Sequence, residues 1–70
     1  MTLVELQKFI EENIDKKFER PFSLEESTSE VGIDSLDLTL LEQSLCEKSG
    51  KTFVLEPDDS FETILSKVNG

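Results

Sequence analysis

The chain has 70 residues, with 16 Asp or Glu against 7 Lys or Arg, a net charge of −9, one cysteine and no histidine. One small domain fits that length, and the counts exclude an internal disulfide, a soft-ligand zinc or iron site and any relay that needs an imidazole. The acidic balance argues against a phosphate-backbone partner such as nucleic acid, no apolar run reaches bilayer length, and Met1–Glu5 lacks a signal-peptide pattern, so a cytoplasmic location is expected.

Thr2-Leu3-Val4-Glu5 opens the chain with a Thr followed three residues later by Glu, the signature of a capping box. A first helix is predicted from there. Leu3, Leu6, Ile10 and Ile14 recur at three- and four-residue spacing with Phe9 beside them, and the charged residues take the other face. The helix should end between Asp15 and Lys17. Phe18, Phe22 and Leu24 follow without helical period, and Pro21 disfavours a helical Arg20, so a long loop is predicted whose apolar residues tuck under the helices.

The next start signal is Gly32-Ile33-Asp34-Ser35-Leu36-Asp37. Asp34 is a good N-cap and Asp37 lies in the first turn, where a carboxylate favours the positive end of the helix dipole. A second helix is therefore predicted from Ser35 through Lys48, stopped by Ser49-Gly50. At 100° per residue it carries two apolar stripes. Leu38, Leu41 and Leu45 form a core face, whereas Leu36 and Leu40, with Gln43 and Glu47, point the opposite way. Leucines on that outer stripe either meet a partner or pack under the long loop.

Thr52-Phe53-Val54-Leu55 is β-branched and aromatic, but no second strand is available to pair with it, so an extended connector is expected. Pro57 and Asp58 are placed to open one short helical turn, and Asp59 with Glu62 reads as a further cap. Phe61, Ile64, Leu65 and Val68 then give a last helix, ended by Asn69-Gly70. The expected fold is all-α, a small bundle of three to four helices with a long loop between the first two.

Ser35 stands in the first turn of the second helix, beside backbone amides that lack intrahelical partners. Amides and dipole together make such a position a good address for a phosphate. The residues Gly32-Ile33-Asp34-Ser35-Leu36, with Asp37 and an acidic helix after them, resemble the acyl carrier protein family. Chain length, negative charge, helix order, the long first loop and the Phe61-Glu62-Thr63-Ile64 opening of the last helix extend that likeness over nearly the whole chain.

The resemblance implies that residues 1–70 are a single, monomeric, non-enzymatic carrier domain with 4′-phosphopantetheine attached to Ser35. Asp34 would help position the phosphopantetheinyl transferase. Leu36, Asp37, Leu40, Gln43 and Glu47, with Phe53 beyond the glycine stop, would form the face that meets acyl-loading and acyl-processing enzymes through their basic patches. The cargo would be an acyl or aminoacyl group of fatty-acid, polyketide or related biosynthesis. Cys46 lies between the stripes and is expected to be a semi-buried structural cysteine. Thr28 stands where many carriers have an apolar residue, Ser49 where some have an aromatic and Leu40 where an acid is common; these departures bear on loop anchoring and on which enzymes dock.

A rival reading is an unmodified adaptor that docks a partner helix through Leu36 and Leu40. It accounts for the outer stripe but not for the serine. An esterase built on Ser35 lacks a histidine and a nucleophile-elbow glycine. The acids do not have the spacing of a calcium loop, and no metal site is expected.

Overall fold

A computed structural model describes all residues from Met1 to Gly70. Three helices make up the regular structure: α1 (Leu3–Ile14), α2 (Ser35–Ser49) and α3 (Phe61–Asn69). Each packs against the other two. There is no fourth helix. Pro57 and Asp58 sit in a turn closed by the Asp59 amide on the Glu56 carbonyl at 3.1 Å, because the chain must reverse there to bring α3 back against the bundle.

The α1 capping box forms as its residues predict, with Glu5 N donating to Thr2 Oγ1 at 3.3 Å and Thr2 N donating to Glu5 Oε1 at 2.8 Å. Asp15 ends the helix in the left-handed region at φ 51°, inside the expected boundary. Asp34 caps α2 as expected, and Gly50 terminates it at φ 71°, a conformation glycine adopts without a Cβ penalty. The cap of α3 is Ser60 rather than Asp59: Ser60 Oγ accepts from Thr63 N at 3.2 Å. Asp59 is drawn away by Lys67 Nζ, 2.8 Å distant, and by the Glu56 amide at 3.0 Å.

Leu6, Ile10, Leu38, Leu41, Leu45, Phe61 and Ile64 supply the helical part of the core, joined by Phe22, Ile33 and Leu55 from the connections. Stacking of Phe22 on Phe61, with ring centroids 4.4 Å apart, carries the long loop into the interior. Phe18 is half-buried against the edge of Phe22, but Leu24 stays exposed, so only part of the loop's apolar set is tucked in.

The long loop is fastened at many points. Gln7 on α1 clips it from both sides, donating to the Arg20 carbonyl at 3.0 Å and accepting from Phe22 N at 2.7 Å. Arg20 and Glu26 form an ion pair, and Ser23 N also donates to Glu26. Ser27 and Glu30 form a second reciprocal cap, through Glu30 N to Ser27 Oγ and Ser27 N to Glu30 Oε1. Buried Thr28 donates from its hydroxyl to the Pro57 carbonyl at 3.2 Å. A hydrogen bond thus anchors the loop where an apolar side chain would otherwise be needed.

Candidate functional site

The route into α2 decides where Ser35 points. Val31 N and Gly32 N close one turn onto the Ser27 and Ser29 carbonyls, and Gly32 leaves it at φ 91°, in the region that favours glycine. Ile33 then drops into the core, 4% exposed, with its amide on the Thr28 carbonyl at 2.9 Å. With Ile33 pinned inward, Asp34 and Ser35 emerge at the surface, and both are exposed.

At the helix start Asp34 Oδ1 accepts from Asp37 N at 2.9 Å, and the Asp34 carbonyl accepts from Leu38 N at 2.9 Å. The Ser35 carbonyl accepts from Thr39 Oγ1 at 2.9 Å. Neither the amides of Ser35 and Leu36 nor the Ser35 hydroxyl has a partner in the chain. These two N–H groups and the hydroxyl lie together at the positive end of the 15-residue α2, where unpaired amides and the helix dipole favour negative charge.

The two leucine stripes of α2 separate as the wheel predicts. Leu38, Leu41 and Leu45 are buried, while Leu36 is 77% and Leu40 52% exposed. Gln43 and Glu47 are exposed along the same outer line, and Asp37 is half-buried beside it. The loop therefore does not cover Leu36 and Leu40. Phe53 is likewise half-buried, packed against the core, and its carbonyl accepts from Cys46 Sγ at 3.5 Å. Cys46 is half-buried as expected.

Three shallow surface grooves lie elsewhere, one beside Phe18, Phe22 and Val31, one between Met1, Phe9 and Lys48, and one around Val4, Gln7 and Pro21. None includes Ser35, which stands on an open surface. No group of three or more Cys, Asp or Glu side chains is placed to ligate a metal.

Two features near the site were not predicted from the sequence. Ser27-x-x-Glu30 followed by Gly32 carries the same cap signal as the start of α1, and would have marked the turn leading into the site. Lys16, just past the end of α1, donates to the Gly32 carbonyl at 3.2 Å and ties that helix end to the segment that delivers Ser35. Nothing in its local sequence announces this contact, since it spans two elements.

Three carboxyls are shifted by their partners. The Arg20 hydrogen bond, then the Ser23 amide, bring Glu26 down to about 2. Lys67, then the Glu56 amide, hold Asp59 below the usual range. The Thr2 amide and hydroxyl lower Glu5. All three sit at junctions of the scaffold.

No protein-family model, curated protein or solved structure matches this chain.

Proposed function

We propose that the protein is a stand-alone acyl carrier, with Ser35 as the attachment point of a 4′-phosphopantetheine arm and the outer stripe of α2 as the surface that successive enzymes meet. The observation that carries this reading is the exposed Ser35 hydroxyl at the start of α2, with no partner in the chain and with unpaired amides beside it. It is supported by the Gly32-Ile33-Asp34-Ser35-Leu36 motif, which resembles that of the acyl carrier protein family.

Ser35 Oγ would form the new ester bond at the pantetheine-bearing phosphorus of coenzyme A, displacing adenosine 3′,5′-bisphosphate, with the hydroxyl proton passing to a base on the transferase. Asp34 Oδ1 accepts from the Asp37 amide and holds the helix start, and its carboxylate beside Ser35 would help position the transferase. The exposed Ser35 and Leu36 amides would face the resulting phosphodiester. When bound, the arm supplies a terminal thiol that holds acyl or aminoacyl cargo as a thioester.

Docking falls to Leu36 and Leu40, rimmed by Asp37, Gln43 and Glu47. Two leucines and a few carboxylates make a small contact, suited to a complex that forms fast on a basic partner surface and releases. Placement of Ser35 outside every groove also fits a substrate for other enzymes better than a nucleophile of its own. Incubation with coenzyme A and a broad-specificity phosphopantetheinyl transferase should add one phosphopantetheinyl mass to the wild type and none to Ser35→Ala. No gain in the wild type would leave the unmodified adaptor, docking through Leu36 and Leu40, as the better account.

A further inference from the structure

Modification of Ser35 places one more negative charge on a stretch that already has no positive one. Residues 21–47 contain Glu25, Glu26, Glu30, Asp34, Asp37, Glu42 and Glu47, and no Lys or Arg. A countercharge must therefore come from another element. The cation bonded to the segment leading into α2 is Lys16, whose Nζ lies 3.2 Å from the Gly32 carbonyl and 5.5 Å from the centroid of the Phe18 ring. Arg20, further along the same loop, is committed to Glu26.

Lys16 is exposed, its ammonium has three donors, and only one is used on a backbone carbonyl. Gly32 and Ser35 are three residues apart, a span of at most about 11 Å in an extended chain. The four-carbon Lys16 stem is flexible, so its ammonium can leave the Gly32 carbonyl without moving the backbone. Asp34 Oδ1, beside Ser35, accepts from the Asp37 amide as the α2 cap.

Resting on the carrier reading of Ser35, we infer that Lys16 is a positioning residue for the attached arm: it leaves the Gly32 carbonyl and pairs with the phosphodiester once Ser35 is modified. The end of α1 then registers whether the carrier is charged with its arm, and the arm's first atoms are drawn toward the α1 side of the α2 start. Because both groups are exposed, the pairing is weak and salt-sensitive, as a reversible guide should be.

The test compares wild type, Lys16→Gln and Lys16→Arg before and after enzymatic modification. Mass spectrometry first establishes complete modification, and the melting temperature change on modification is then read at low and at high salt. At low salt that change should be more favourable in the wild type than in Lys16→Gln by roughly 1–5 °C, with Lys16→Arg restoring it and high salt abolishing the difference. In the wild type the Gly32 and Ile33 amide resonances should also move on modification, and in Lys16→Gln they should move less. Equal melting shifts and equal resonance changes in wild type and Lys16→Gln would overturn the role of Lys16 while leaving Ser35 as the attachment site. Failure of all three proteins to gain mass would instead overturn the carrier reading and this inference with it.

Discussion

At the start of α3 the first two amides, on Phe61 and Glu62, are taken by the Glu26 and Leu24 carbonyls at 2.8 and 3.1 Å. At the start of α2 the corresponding amides, on Ser35 and Leu36, have no partner in the chain. Both helices carry a side-chain cap, Asp34 for one and Ser60 for the other. The long loop accounts for the difference. It is bridged to α3 at Ser27 and Ser60, and Thr28 and Ser29 fasten it to Pro57, so that helix start becomes part of the scaffold with Phe61 fully buried. The same loop ends by sinking Ile33 and lifting Ser35 clear. One helix start is sealed and the other is left open.

That contrast is open to attack at several strengths. Phe61→Ala removes the ring stacked on Phe22 at the sealed start and should cost about 3–5 kcal/mol, enough to unfold much of a domain this small; urea denaturation checks it. Within α2, Leu38→Ala should cost about 2–5 kcal/mol, whereas Leu36→Ala should stay within about 0.5 kcal/mol, and equal losses would mean that the outer stripe is part of the core. Thr28→Val keeps the volume but deletes the hydroxyl bond to Pro57. Since the Ser29 amide still satisfies that carbonyl at 3.2 Å, the expected loss is about 1 kcal/mol.

A pH series sharpens the comparison further. Glu26 is held at about 2 by Arg20 and the Ser23 amide, so its contribution is fully present above the ordinary glutamate range near 4.5 and is lost as pH falls toward about 2. The melting temperature gap between wild type and Glu26→Gln should therefore close between pH 5 and 2, and a gap that stays constant would place the loop's anchorage elsewhere. The smallest effect concerns the acids of residues 21–47, which repel one another; added salt should raise the melting temperature modestly, and a flat response would contradict that repulsion.

Much of this was legible in the residues. The Thr2–Glu5 box, the Asp34 cap and the Gly50 stop are local devices whose partners lie within three or four positions, and the opposed leucine stripes of α2 follow from helical period alone. What escaped depends on contacts across the chain. Asp59 fails to cap α3 because Lys67, eight residues on, claims it. Phe53 packs half-buried against the core, with its carbonyl accepting from Cys46 Sγ. Thr28 looks misplaced until Pro57, 29 positions away, supplies its acceptor. The exposure of Ser35 follows from its motif, but the free amides beside it emerge only from the loop's pairing, with the Leu24 and Glu26 carbonyls on α3 and those of Ser27, Thr28 and Ser29 within the loop itself.

The most direct test is to locate the modified residue by peptide fragmentation after treatment with coenzyme A and a transferase. Of the eight serines, Ser35 and Ser60 both stand at helix starts, and they differ in whether the loop has sealed the neighbouring amides. The account predicts the phosphopantetheinyl group on the peptide holding Ser35 alone; finding it on Ser60, on another serine, or on none would contradict it.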